Sequence, residues 1–282
     1  MIAELLLILH LYNIKQVIMK SQKLYEADDK LISLIKDNYN VLQSLGAFGI
    51  NLGFGDKTVR EVCEMQDVDT YTFLAIVNLA INGYKSFEDF SKISIPTLMH
   101  YLHASHEYYL DFQLPFIRKE LVDALDENDN LARLILKLYD EYADEINKHM
   151  RYEERYLFPY VESLLNGNPI KNYDIETFSK HHGQTDQKLR ELKNIIIKYL
   201  PSDGLHNNQL SATLCDIYSN EEWLARHADV EEIIMIPAIR FLERKSKQSD
   251  VSAKISNMIS QNANSGEALS EREKDVIVSL VQ

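Results

Sequence analysis

His149–Pro159 reads HMRYEERYLFP, and His227–Pro237 reads HADVEEIIMIP. Both spell His-x-x-x-Glu-Glu-x-x-x-x-Pro. A His and a Glu four residues apart lie one turn apart on the same face of a helix, where they can grip one metal ion together. A single such pair is cheap, because helices carry many His/Glu neighbours whose interaction contributes only a few tenths of a kcal/mol. Two copies, with the second Glu and the Pro at matching offsets, point to a shared metal site.

The repeats sit in long amphipathic stretches. From Ile95 onward the pattern predicts four helices, about 95–126, 129–165, 173–200 and 207–246. Polar or helix-breaking segments separate them: DENDN (126–130), NGNPIKN (166–172) and PSDG (201–204). Apolar residues recur at three and four spacing, as in Leu131, Leu134, Ile135, Leu138 and Tyr142. Four such helices joined by short loops predict an all-α fold, an antiparallel up-down-up-down bundle over residues 93–246. Pro115, Pro159 and Pro237 fall inside helical patterns and are expected to kink or end them.

A small helical domain is expected before the bundle, over residues 21–90, with a glycine-rich break LGAFGINLGFGDKT. Thr58 with Glu61 forms a capping-box pattern for a helix through Cys63. Asp69 or Thr70 starts another helix, ending near Asn82-Gly83. Residues 1–20 form an extension of uncertain status. Its apolar run MIAELLLILHLY is too short to span a bilayer and lacks the basic start and small-residue cleavage site of a secretory signal. Met19 opens a second candidate start.

Composition narrows the function classes. A chain of 282 residues, 45% hydrophobic and 26% charged, is ordinary for a soluble globular protein. Nine glycines and six prolines are few, which favours helices over a turn-rich β fold. The net charge of −13 argues against a broad grip on phosphate backbones. Cys63 and Cys215 form no metal-spaced cluster and read as reduced thiols, fitting a cytoplasmic location.

A bundle interior is a natural place for a metal, built from side chains on facing helices. His149 with Glu153 and His227 with Glu231 supply four ligands from the second and fourth helices. The first helix offers His100, His103 and His106; the third offers His181 and His182. Mixed imidazole and carboxylate ligands suit iron, zinc or manganese rather than calcium or copper(I). Carboxylates able to bridge two ions make a pair of iron ions the best fit.

These residues resemble a hemerythrin-like domain, and within that group the RIC (repair of iron centres) family. The resemblance covers roughly residues 95–245. It implies one His from the first helix, His-x-x-x-Glu from the second, one His from the third and His-x-x-x-Glu from the fourth. The matching positions are His149 and Glu153, then His227 and Glu231. In the first helix His106 is selected, because SHEYYLDFQLP matches the family's His upstream of Leu-Pro; His103 is the runner-up. In the third, His182 is selected over His181 for its offset to Leu189 and Leu192. The implied cofactor is a non-haem di-iron centre, oxo- or hydroxo-bridged. His100 is expected to be structural, and His10 and His206 surface or loop residues. Glu154 and Glu232 are expected to pair with a basic neighbour or to orient a ligand histidine. Tyr108, Tyr109, Tyr152 and Tyr156 are expected to pack, one of them being a candidate donor to a bound oxygen species.

Two segments depart from that family. The stretch AFGINLGFGDKTVREVC (47–63) resembles its N-terminal domain, which carries two adjacent cysteines; here Gly53 and Phe54 hold those positions. Thiol or iron–sulfur chemistry is lost with them. At the other end LSEREKDVIVSLVQ (269–282), after an expected linker over 247–268, resembles the first helix of a LuxR-type helix-turn-helix, with Ser270 and Glu273 as its capping box. The expected function is therefore a di-iron sensory module for dioxygen, nitric oxide or redox state in a transcription regulator. DNA contact would come only through a C-terminal domain not complete in this chain. The expected alternative is a di-iron protein of iron–sulfur cluster repair and the nitric-oxide stress response, with plain oxygen or iron storage a weaker third. A sensor or binding role is favoured over an enzyme, without a membrane partner; a homodimer is compatible with the sequence.

Overall fold

The computed structural model describes residues 24–82, 89–126, 129–179, 186–199 and 207–265. The fold is all-α, with short helices preceding the long ones. The short helices are α1 (Leu31–Asp37), α2 (Val41–Ala47), α3 (Val59–Met65) and α4 (Thr70–Asn82). The long stretches follow. Helix α5 (Ile95–Glu107) runs through a π-helical turn, Tyr108–Gln113, into α6 (Leu114–Ala124). Helix α7 (Asn130–Tyr152) runs through Glu153–Leu157 into α8 (Phe158–Leu165). Next come α9 (Ile175–Ser179) and α10 (Asp186–Tyr199). Helix α11 (Asn207–Val230) runs through Glu231–Met235 into α12 (Ile236–Ser265).

The chain forms two compact units: Met1–Leu125 with Asp203–Ile234, and Asp126–Ser202 with Met235–Gln282. In the first unit local signals set the helix starts. Thr58 accepts from the Glu61 backbone N–H while the Glu61 carboxylate accepts from the Thr58 backbone N–H, the expected capping box. Asp69 accepts from the Thr72 N–H at 2.8 Å and so starts α4. Leu31, Leu34, Phe73, Ile76 and Leu79 are wholly buried, each contributing about 2 kcal/mol by leaving water. The Phe48 ring packs, tilted, 5.1 Å from that of Phe73 and 4.7 Å from that of Tyr101 on α5, fastening the short helices to the first long one. Helix α11 packs against both α4 and α6.

In the second unit α7 packs on α10, and α12 on α8 and α9. Glu243 on α12 is buried and accepts from the Tyr160 hydroxyl at 2.6 Å and from the Ile175 backbone N–H at 2.9 Å. It thereby satisfies a donor at the start of α9 that would otherwise be orphaned.

One expectation needs correction. The stretch 247–265, expected to be a linker with one short helix, continues α12 instead. No Pro or Gly falls between Pro237 and Gly266, and Val251, Ile255, Met258 and Ile259 keep a helical spacing. Pro115, Pro159 and Pro237, expected to kink or end their helices, do not end them: each long helix continues past its proline, with a π-helical turn just before it. The third helix is described only as α9 and α10, and His181 and His182 lie outside the described residues, as do residues 1–20 and the 269–282 segment.

Candidate metal centre

Helix α5 brings the first ligand candidate. Ser94 caps it by accepting from the Thr97 N–H, and Leu98, Tyr101, Leu102 and Ser105 form its buried face. His106 continues that face and is only 2% exposed. His103 lies elsewhere: half exposed, its Nε2 faces Glu107 at 3.5 Å. His100 is exposed as well, beside Gly49.

On α11 and the turn after it, Trp223, His227 and Glu231 follow one another at four-residue steps. Such steps hold side chains close to one face. His227 is 4% exposed and Glu231 fully buried, with His227 Nε2 at 2.9 Å from Glu231 Oε1. The same nitrogen lies 3.3 Å from His106 Nε2. His106, His227 and Glu231 thus each offer a ligand atom, all within 4.8 Å of one another. Tyr109 stands beside them, its ring 6.3 Å from that of His227. Behind Glu231 is Tyr101, whose hydroxyl burial, more than the charge of Glu231, pushes its pKa up to about 12.

The second unit repeats the pair. His149 Nε2 lies 2.9 Å from Oε1 of Glu153, which is fully buried. Tyr173 borders this pair. Its ionisation is pushed upward by burial first, then by its hydrogen bond to Tyr152 and the nearby charge of Glu153.

The π-helical turns explain how prolines sit in these helices. An α-helical proline lacks the N–H for its bond and collides with the carbonyl four residues back. Here the pairing widens to five residues just before each proline: Leu114 N–H bonds Tyr109 O, and Phe158 N–H bonds Glu153 O. Glu153 and Glu231 are each the first residue of such a turn. Single π turns inside α-helices are often found at functional sites.

The geometry fits a transition-metal ion. Two ligand nitrogens bound to one ion, at angles from a right angle to tetrahedral, stand about 2.8–3.4 Å apart. The His106–His227 separation of 3.3 Å falls in that range. A fully buried carboxylate also costs several kcal/mol unless a cation or proton compensates it. Nδ1 of His227 is buried without a hydrogen-bond partner among the described residues, so the ring is oriented by its packing against His106 and Tyr109 rather than by the outer hydrogen bond usual for a ligand histidine. Neutral imidazoles and carboxylates suit iron, manganese or zinc.

Tyr101 and Trp223 also neighbour these residues, and neither belongs to the His-x-x-x-Glu motifs. The position of Trp223, one turn before His227, was a readable signal. Tyr101 gives no such signal, since its proximity to Glu231 comes from tertiary packing.

Residues 97–239 match the family described as Hemerythrin HHE cation binding domain. The chain is also similar to the iron-sulfur cluster repair protein ScdA of Staphylococcus haemolyticus, with 21% identity over 153 residues, covering 52% of this chain and 68% of that protein. No solved structure matches the chain at a significant level.

Proposed function

The chain belongs to the hemerythrin HHE cation-binding domain family, and we propose that it is a non-haem di-iron protein acting in iron–sulfur cluster repair and the response to nitric oxide. The observation that carries this reading is the buried convergence of His106, His227 and Glu231; the similarity to ScdA supports the physiological setting. His149 and Glu153 are the proposed second-helix ligands, and His182 the proposed third-helix ligand. His106 is preferred to His103 because only His106 is turned away from solvent.

In this reading the protein's own groups do three things. The imidazoles bind as neutral donors through Nε2, the nitrogen that faces the partner ligand at His106 and at His227. The carboxylates of Glu153 and Glu231 balance the cation charge inside a dry interior, where that charge interaction is strong. Tyr101 stays a neutral hydroxyl beside Glu231 and keeps further negative charge away from the site. Bound iron would supply affinity for dioxygen or nitric oxide and one-electron chemistry. No helix among the described residues is long and apolar enough to cross a membrane, and the proposed setting is the cytoplasm.

The test is restoration. The iron-loaded chain is mixed with an enzyme whose iron–sulfur cluster has been damaged by nitric oxide. Recovery of that enzyme's activity, lost with His227→Ala, is the expected result; equal recovery with the variant would refute the reading.

A second reading is a di-iron sensor within a transcription regulator. It is favoured by one specific observation: Gly53 and Phe54 stand where the repair family carries its cysteine pair. It predicts ligand-to-metal absorption bands that respond to dioxygen or nitric oxide without any cluster repair.

A further inference from the structure

Residues 38–44, the end of α4 and the middle of α11 enclose a narrow cleft of about 30 Å³. That is room for a water or a diatomic molecule and too little for an organic metabolite. Tyr39, 74% exposed, stands at the mouth. Ala80 and Ser219 line the sides, and the buried side chains of Tyr101 and Trp223 form the floor.

Both floor residues lead on to ligand candidates. The Tyr101 hydroxyl meets those of Ser44 and Ser105 and lies within electrostatic reach of Glu231. Trp223 rests on Tyr109 with rings 4.6 Å apart, and Tyr109 in turn borders His227. Ser219, Trp223, His227 and Glu231 run at four-residue steps from the cleft to the ligand cluster. The charge at the mouth is already matched: Arg226 reaches Asp229 at 3.2 Å and Glu222 at 4.0 Å. Nothing there favours an ion over a neutral molecule.

We propose that this cleft is the route by which uncharged molecules of diatomic size reach the His106–His227–Glu231 cluster, with Trp223 and Tyr101 as its inner gate. The destination rests on the metal-centre reading above; the route itself does not. The short N-terminal helices, without the cysteine pair of the related family, then serve as one wall of the passage.

The chain has a single tryptophan, so its fluorescence reports on the gate alone. Dioxygen quenching of Trp223 is measured in the full-length chain, as purified and after chelation, for the wild type and for Ala80→Phe and Ser219→Phe, which fill the cleft away from the ligands. The expected result is a several-fold fall in dioxygen quenching in both variants, with helicity unchanged, and weak quenching by the larger acrylamide throughout. Unchanged dioxygen quenching in the two folded variants, or acrylamide quenching as strong as that by dioxygen, would overturn the route. In the iron-loaded chain the same variants should slow nitric oxide association several-fold at unchanged iron content. Variants that block quenching in a chain that binds no iron would keep the route and sink the metal reading, so the two failures are distinct.

Discussion

The N-terminal helices and the ligand-bearing helices obey different rules. Over residues 24–82 local preference and packing agree. Thr58 and Asp69 cap their helices, and Asn78 bonds both the N–H and the carbonyl of Tyr25 across 53 residues of chain. The buried face is mostly apolar, and its buried polar side chain Asn78 is hydrogen-bonded. Along α5, α7, α11 and the π turns that follow them the order reverses: His106, His227, Glu153 and Glu231 are buried, and the backbone departs from α pairing just before a proline in each case. Such conflicts lower stability and persist where function requires them. The chemistry lies with the buried His/Glu cluster, while the N-terminal helices are held by packing and capping alone. Gly53 has a φ of 95°, a conformation that strains any residue with a Cβ. Phe54 is 9% exposed and fills space as a hydrophobic residue does.

Among substitutions the largest effect is expected at the proposed ligands. Glu231→Gln keeps the shape and removes a buried charge. Metal binding should be lost, while the metal-free chain gains about 1 kcal/mol or more in chemical denaturation, since a buried charge without its cation destabilises. A metal-free variant less stable than the wild type would break the comparison. Phe54→Ala should do the opposite, costing about 3 kcal/mol through lost burial and a cavity while metal content per folded chain stays unchanged. Thr58→Ala removes one capping bond and should cost about 1 kcal/mol, read from the denaturation midpoint, again with metal retained.

The smallest effect is expected at Glu120. Burial first, and then its hydrogen bond and charge contact with Asp216, hold the Glu120 carboxyl above its ordinary range. An acid whose folded pKa is raised stabilises the fold at low pH, and that contribution fades as pH rises through the folded value. Glu120→Gln should therefore raise the melting temperature slightly at neutral pH. The gain should vanish below the ordinary carboxyl range, near pH 4; a gain of equal size at every pH would contradict the assigned cause.

Much of this was legible in the sequence because the signals were local or repeated. The two His-x-x-x-Glu-Glu motifs located the second and fourth helices, and the Thr58/Glu61 pattern located α3. The π turns were not legible. A proline in a helical pattern announces a conflict, but whether the helix ends, kinks or widens depends on what packs on both sides of it. The continuation of α12 through Ser265 was missed because polarity and Ser/Asn content suggest a linker, while the absence of Pro and Gly lets the helix run on. The proximity of Tyr101 to Glu231 is tertiary, and no spacing within either helix encodes it.

Iron content measures the proposed di-iron centre most directly. The protein purified anaerobically should carry two irons per chain, as di-iron carboxylate bundles do, and the His149→Ala/His227→Ala double variant should lose most of both. Full iron occupancy in the folded double variant, or a wild type that binds no transition metal at all, would contradict the account.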